Sequence, residues 1–112
     1  MGKILKITLN PGLISLIGFA KKSRNLESGF EAVRRGIEKK KVAFLLLDET
    51  LADNSFKKIS ALAQRHDVPV LIVQKKENSN LLNTTGYKIL GMHQGGLAKG
   101  FIDKLKQESQ WL

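Results

Sequence analysis

The residues best suited to chemistry are basic side chains that flank a single glycine in the first third of the sequence. The basic residues of this group are Lys21, Lys22, Arg24, Arg34 and Arg35. Gly29 lies between them at the start of a predicted helix, where free backbone N–H groups and the helix dipole favour a phosphate. Arginine also forms forked hydrogen bonds to phosphate oxygens and stacks on bases. The pattern therefore indicates a partner that carries phosphates.

The overall charge points to the same kind of partner. The 112 residues include 19 Lys and Arg against 10 Asp and Glu, which gives a net charge of +9 and a pI near 10.0. The excess is concentrated in residues 1–43, which hold ten basic and three acidic side chains. A domain with such a charge fits a polyanion, and nucleic acid is the commonest one. A soluble surface that is merely rich in lysine is the alternative interpretation.

Signals for catalysis are weak by comparison. His66 and His93 lie on different predicted elements, and Asp48 with Glu49 ends a strand without a neighbouring group to complete a catalytic set. A carboxylate that caps a loop explains this pair more simply. The glycine-rich segment 91–100 lacks both the G-x-G-x-x-G order and the G-K-[ST] ending of phosphate loops. The chain has no cysteine, and we expect no enzyme activity, no metal and no cofactor.

Helices and strands alternate along the predicted chain, which is typical of an α/β sandwich with a parallel or mixed sheet. The periodicity and the turn residues predict helices at 11–22, 28–40, 55–66, 77–84 and 96–108, and strands at 42–48, 68–74 and 87–93. Residues 24–27 form a bridge that fits a three-residue strand, whereas the leading residues up to Leu9 fit either a strand or a helical turn. The predicted N-caps are Asn10, Ser28 and either Asp53 or Asn54.

The helix predicted at 28–40 carries both a folding signal and a charged face. Ser28 with Glu31 three residues later forms the pattern of a capping box. Glu31 with Arg35, and Arg34 with Glu38, have the i,i+4 spacing of weak ion pairs on an exposed helix. Such pairs exchange readily for phosphate contacts, so the same arginines fit both stabilisation of the helix and binding of a polyanion.

Four segments occur in an order that is similar to a known family. They are "LIGFAKKSRNLESGFEAV", "VAFLLLDET", "DVPVLIV" and "LGMHQGGLAKGFI", and they extend from about Leu13 to Leu105. Together they resemble the kink-turn RNA-binding ribosomal-protein family, the L-seven-Ae type, and especially its small bacterial YlxQ-like branch. The resemblance implies one domain over residues 1–112, folded as a three-layer α/β/α sandwich with a small mixed sheet of about four strands.

The resemblance also implies an RNA surface at the start of the second helix, where the family has a G-x-N-E-x-x-K pattern that grips a sharply bent RNA stem. Gly29 matches the glycine, and Arg35 replaces the lysine with the charge kept. Glu31 lies at the asparagine position and Ala32 at the glutamate position. Asparagine both donates and accepts hydrogen bonds, whereas an ionised glutamate only accepts them and repels phosphate.

The family's second contact region is the loop that enters the last strand. In this chain the loop contains Thr84, Thr85, Gly86 and Tyr87, and the tyrosine ring is suited to stacking on an unpaired base. The complete set of predicted RNA-binding residues is Lys21, Lys22, Arg24, Gly29, Glu31, Arg34, Arg35, Thr85, Gly86 and Tyr87.

We expect a cytoplasmic protein that binds structured RNA, either kink-turn-like or ribosomal, in ribosome assembly or translation. Association with the ribosome is part of this expectation, and DNA and membranes are not expected partners. No apolar run approaches the roughly 20 residues that span a bilayer. One alternative is a protein-interaction adaptor on the same fold. The other is an enzyme that acts on a nucleotide with Asp48 or Glu49.

Overall fold

The computed structural model describes residues 3–76 and 81–111, over which strands and helices alternate. The strands are β1 Ile4–Thr8, β2 Leu26–Ser28, β3 Val42–Asp48, β4 Val70–Gln74 and β5 Ile89–His93. The helices are α1 Pro11–Lys22, α2 Phe30–Glu38, α3 Asp53–Arg65, α4 Leu81–Thr85 and α5 Gly96–Gln107.

The strands form one sheet in the order β1-β4-β3-β5-β2. β1, β4 and β3 are parallel to one another, β5 is antiparallel to β3, and β2 is antiparallel to β5. The strands β1 to β4 therefore point the same way, and only β5 runs in the opposite direction. β3 lies at the centre and is buried along almost its whole length, as its continuous apolar run predicts.

Helices cover both faces of the sheet and produce three layers. α1 and α5 pack against each other and against one face, where the rings of Phe44 and Phe101 lie 5.2 Å apart between centroids. α2 and α3 cover the other face and bury Val33, Ile37 and Ile59 there. One apolar cluster lies on each face of the sheet. The predicted α/β sandwich is confirmed.

The sheet has five strands, whereas about four were predicted. The bridge at 24–27 contributes β2, which pairs with Leu90–Met92 of β5. The additional strand is β1, whose residues pair in parallel with Val70–Gln74 of β4. The apolar pattern of this segment fits a strand and a helical turn equally well. The segment forms a strand because it lies beside β4. The backbone N–H and C=O groups along that side of β4 form a ladder of hydrogen bonds with an extended chain, but not with a helical turn.

The predicted capping box of the second helix is wrong. Ser28 is the last residue of β2 and pairs with Leu90, so its backbone is extended and belongs to the sheet. Gly29 takes the N-cap position instead, without a side-chain hydrogen bond. Glu31 therefore has no capping partner and is free to pair along the helix.

Of the N-caps predicted for α1 and α3, the first is confirmed and the second is wrong. Asn10 caps α1 as predicted, since its side-chain oxygen accepts a hydrogen bond from the Leu13 N–H at 2.9 Å. Neither Asp53 nor Asn54 caps α3. The N-cap is Ala52, whose carbonyl accepts from the Phe56 N–H at 2.9 Å, so Asp53 becomes a first-turn carboxylate that favours the helix dipole.

Several boundaries differ from the prediction by a few residues. β4 and β5 each begin two residues later than expected, at Val70 and Ile89, and α2 ends at Glu38. The helix predicted at 77–84 overlaps α4, although residues 77–80 of that prediction lie outside the described part. Among the described residues, no helix is both long enough and apolar enough to cross a bilayer.

Candidate nucleic-acid interface

The junction between β2 and α2 has a backbone conformation that requires glycine. The Gly29 N–H donates to the Ile89 carbonyl at 2.9 Å, which continues the β2–β5 pairing, and the Gly29 carbonyl accepts the first helical bond from Val33 at 3.0 Å. One residue thus belongs to both the sheet and the helix. Its φ of 89° and ψ of 162° fall in a region that is essentially restricted to glycine.

The loop that enters β5 lies against this glycine. The Thr85 hydroxyl donates to the Leu81 carbonyl at 2.8 Å and accepts from the Tyr87 N–H at 3.1 Å, while Gly86 has a φ of 80°. The Tyr87 side chain is 44% exposed. A methyl group placed on Gly29 would lie 4.0 Å from Cε1 of the tyrosine ring. We name Gly29, Thr85, Gly86 and Tyr87 the glycine–tyrosine site.

The structure separates the roles of the two arginines on α2. Arg34 donates from Nη2 to Glu31 Oε2 at 2.8 Å and from Nη1 to Glu38 Oε1 at 2.7 Å. The predicted Arg34–Glu38 pair is thus present, but Glu31 pairs with Arg34 rather than with Arg35. Arg35 is exposed and makes no ion pair within 4 Å with another described residue. Arg35 is therefore the more available of the two for a phosphate.

The Glu31–Arg34 pair also changes the acidity of its members. The hydrogen bond from Arg34, and then the positive charge of Arg34, lower the pKa of the Glu31 carboxyl from its ordinary value of 4.5. The reciprocal hydrogen bond and charge raise the pKa of Arg34. Glu31 therefore presents a fixed negative charge beside the start of α2 at neutral pH.

The remaining predicted cations lie at the opposite end of β2. The Asn25 carbonyl accepts from the His93 N–H at 2.8 Å, and the Lys41 carbonyl accepts from the Gln94 N–H at 2.9 Å. These bonds bring the turn after α1 and the segment after α2 to the end of β5, whereas Gly29 meets the beginning of β5. We name the exposed cations at this end the lysine patch, which consists of Lys21, Lys22, Arg24, Lys40 and Lys41.

The predicted set of RNA-binding residues is therefore divided into two regions. Gly29 and Arg24 are joined by the short strand β2, and five residues of extended chain span on the order of 15 Å. Thr85, Gly86 and Tyr87 join Gly29 although they come from a distant part of the sequence. Lys21 and Lys22 are exposed, but they lie with Arg24 and not with Gly29.

The groups considered for catalysis have structural partners. Asp48 is buried, and its carboxylate accepts from the Thr50 N–H at 2.9 Å and from the Thr50 hydroxyl at 2.6 Å. Glu49 accepts a backbone hydrogen bond at 2.7 Å. The prediction that a carboxylate of this pair caps a loop is confirmed for Asp48. His93 Nε2 lies 2.5 Å from Glu27 Oε2, and no group of three metal-ligating side chains occurs within the described residues.

The glycine-rich segment 91–100 contributes packing and a helix start. Gly91 lies inside β5, where a Cβ atom would come within 3.2 Å of both methyl groups of Val42. That distance is tight enough to explain a glycine by packing alone. Gly95 is the N-cap of α5 with a φ of 143°.

One exposed aromatic side chain was missed by the sequence analysis. Phe19 is 59% exposed on α1. A signal for it was available, because the buried residues Leu13, Ile17 and Ala20 define one face of α1 and the helical period of 100° per residue places Phe19 away from that face.

Sequence comparisons give no family. No family model matches the chain, and no curated protein matches it. The solved structures do give matches. A protein of unknown function from Bacillus halodurans C has a TM-score of 0.72 and is 19% identical, and the match covers 87% of this chain and 99% of that one.

A second solved structure with this fold is that of an RNA-binding protein. The 15.5kD RNA binding protein of Giardia lamblia has a TM-score of 0.64 at 9% identity, and the match covers 90% of each chain. This chain shares the fold of that protein. An archaeal translation termination factor contains the fold as well, with a TM-score of 0.58, 21% identity, 70% of this chain covered and 23% of that one. At these identities the likeness extends to the fold alone.

Proposed function

We propose that this protein binds structured RNA through the glycine–tyrosine site. The observation that carries the proposal is the proximity of Tyr87 to Gly29, because it brings together the two segments that the family resemblance implies contact RNA. The shared fold with an RNA-binding protein and the net charge of +9 support it further.

Each residue of the site has a definite task in this proposal. Gly29 has no side chain, so an RNA backbone can approach the first turn of α2, whose N–H groups have no side-chain cap and favour a phosphate. The half-exposed Tyr87 ring stacks on an unpaired base. Arg35 neutralises a neighbouring phosphate, and Arg34 keeps α2 ordered through its two carboxylate partners.

The proposed target is a bent or internally looped RNA stem, either kink-turn-like or ribosomal, and the proposed setting is cytoplasmic ribosome assembly or translation. Membership of the kink-turn family and of its YlxQ-like branch is part of this proposal and rests on the sequence segments described above. The role is proposed to be non-catalytic, with no cofactor. The departures at Glu31 and Ala32 predict that the kink-turn is read less strictly than in the family, because a carboxylate replaces a group that donates to base edges.

The test compares two RNAs and three proteins. Binding is measured by fluorescence anisotropy with a kink-turn stem and with a fully paired duplex of equal length. We expect Tyr87→Ala to weaken binding to the kink-turn stem about 5- to 150-fold, since base–aromatic stacking contributes about 1–3 kcal/mol per base. Tyr87→Phe keeps the ring and should keep the affinity. Equal binding of both RNAs by all three proteins would refute the proposal.

Salt dependence provides an independent check. Contacts to about five phosphates predict a slope of log affinity against log salt near −4 to −5 for duplex-like RNA. A binding constant that does not change between low and physiological salt would contradict a phosphate-led interaction.

A protein-interaction adaptor is the second candidate, and one observation favours it. Glu31 lies at the family's asparagine position and is held there as a carboxylate by Arg34, which places a negative charge beside the proposed RNA surface. The adaptor hypothesis predicts that protein purified under gentle conditions carries no RNA. It also predicts that Arg34→Ala/Arg35→Ala leaves partner binding unchanged, whereas the RNA hypothesis predicts a loss of affinity.

A further inference from the structure

Phe19 is the most exposed of the large apolar side chains on the described surface, at 59%. It lies near the end of α1, on the side away from the buried residues Leu13 and Ile17. At 100° per residue its neighbours on the helix include the exposed residues Ser15 and Lys22 and the half-buried Leu16. A phenylalanine at this position therefore contributes little to the core.

The residue that precedes Phe19 on α1 is a glycine with open space around it. Gly18 precedes Phe19, is itself exposed, and would place a Cβ atom with no neighbour within 4 Å. A glycine inside a helix lowers helix stability relative to alanine, and no close contact requires one here. Gly18 therefore leaves open space on α1 at the position that precedes Phe19.

All charged residues in the sequence around Phe19 are basic. Residues 1–26 contain no Asp or Glu, and Lys21, Lys22 and Arg24 follow Phe19 directly. The first acidic residue is Glu27, whose carboxylate lies 2.5 Å from His93. Cations at the carboxyl end of a helix stabilise the helix dipole, which accounts for Lys21 and Lys22. It does not account for an exposed aromatic ring between them and an exposed glycine.

We propose that Phe19, together with Lys22 and Arg24, holds a single-stranded segment of RNA. A base stacks on the phenylalanine ring, and the adjacent cations neutralise the phosphates on either side, which is how proteins bind single strands without reading their sequence. This inference rests on the proposed function. It adds a second contact region, which binds single-stranded RNA that continues from the stem held at the glycine–tyrosine site.

The topology offers a path between the two regions. β2 is an edge strand of the sheet, and its three residues are half-buried rather than covered. It leads from Arg24 at one end to Gly29 at the other, over a distance on the order of 15 Å. An RNA whose stem contacts Gly29 and Tyr87 can therefore send a single-stranded flank along β2 to Phe19.

The composition of the patch favours RNA over a protein partner. Lysine is depleted in the cores of protein–protein interfaces, where aromatic residues are enriched. Phe19 is adjacent to a lysine pair and an arginine with no carboxylate of the same segment to pair with them. A polyanion with flat bases satisfies both features at once.

The experiment uses three labelled RNAs and four proteins. The RNAs are a kink-turn stem, the same stem with a single-stranded flank, and the flank alone. The proteins are the unmodified chain, Phe19→Ala, Phe19→Leu and the control Ile4→Ala. Ile4 is a matched control because it is another large apolar residue, 48% exposed, but lies on β1 at the other edge of the sheet.

We expect the flank to tighten binding of the stem by at least about fivefold in the unmodified chain, the lower limit for one stacked base. Phe19→Ala and Phe19→Leu should lose this gain, and Ile4→Ala should keep it. Leucine favours the helix as well as phenylalanine does, so Phe19→Leu separates the loss of the flat ring from any loss of folding.

Four outcomes would separate this inference from the proposed function. A flank that adds no affinity, or a gain that survives Phe19→Ala, overturns the inference while binding of the stem upholds the proposed function. Binding of the flank but not of the stem refutes the glycine–tyrosine site alone. If no RNA binds, both proposals fail. If sedimentation shows that Phe19→Ala abolishes self-association and leaves RNA affinity unchanged, the patch is a protein interface and the inference is wrong.

Discussion

The glycine–tyrosine site and the lysine patch lie at opposite ends of the same short strand and differ in the property on which their proposed role in RNA binding depends. The first is defined by backbone geometry. Gly29 and Gly86 have positive φ values, the Thr85 hydroxyl bonds to the Leu81 carbonyl and the Tyr87 N–H, and the tyrosine ring lies near Gly29. The second is defined by charge, because its five cations are exposed on helix ends and turns.

Under the proposed function, the two regions have different tasks in RNA binding. Contacts to phosphates supply affinity and position the partner, whereas contacts to bases and to unusual shapes supply specificity. The lysine patch, with long and mobile side chains, is suited to attraction. The backbone of the glycine–tyrosine site is fixed by two glycines with positive φ and by the hydrogen bonds of Thr85. A surface of fixed shape is suited to selection of a bent or looped stem.

A pair of glycine substitutions tests whether the glycine–tyrosine site depends on a backbone conformation that an exposed helical glycine does not need. Gly29→Ala should lower the free energy of unfolding by about 1–3 kcal/mol, since its backbone conformation is essentially closed to other residues. Gly18→Ala should instead raise that free energy by about 0.5–1 kcal/mol, because Gly18 is an exposed residue inside a helix. Chemical denaturation measures both. Equal effects of the two substitutions would contradict the proposed backbone requirement at Gly29.

A pair of lysine substitutions tests the role of charge. Lys21→Gln/Lys22→Gln should weaken RNA binding about tenfold near physiological salt and reduce the steepness of the salt dependence by about 1.4–1.8, as expected for two lost phosphate contacts. Lys57→Gln/Lys58→Gln is the matched control, since it removes two adjacent exposed lysines from α3. If both double variants bind alike, the lysine patch attracts RNA only through net charge.

Replacement of Glu31 by asparagine tests the contribution of one carboxylate beside the glycine–tyrosine site. Glu31→Asn removes a carboxylate that repels phosphate and releases one partner of Arg34. We expect affinity for a kink-turn stem to increase about two- to fivefold, in line with the weak energies of exposed charge pairs. Affinity for a paired duplex should increase less. A decrease for both RNAs would mean that Glu31 contributes directly to binding.

The smallest expected effect is a pH dependence of α2. Arg34 lowers the pKa of Glu31 below 4.5 in the folded protein, so the pair stabilises the fold above about that pH and loses this contribution as the pH falls through the lowered pKa. The stability advantage of the unmodified chain over Glu31→Gln should therefore be present at pH 6 and shrink at pH 3. Thermal unfolding of both proteins measures it, and a constant difference would argue against the pair.

Much of the fold was accessible from local patterns. Asn10 followed by Pro11 placed the start of α1 correctly, and the apolar run at 42–48 gave both the limits and the burial of β3. Ser28 was misjudged because a serine followed by a glutamate three residues on fits a cap, while the structure uses the same serine to complete a strand pairing with Leu90. Long-range pairing outweighed the local signal.

In the candidate site, too, some features follow from local sequence and others from long-range pairing. Composition and residue spacing are enough to predict that the chain is basic, alternates strands with helices, and carries cations on both sides of Gly29. The structure adds that Lys21, Lys22 and Arg24 lie at one end of β2, whereas Gly29, Arg34 and Arg35 lie at the other, because an extended strand separates its two ends. The antiparallel pairing of β2 with β5 places Tyr87 near Gly29, since the proximity of distant segments depends on which strands become neighbours.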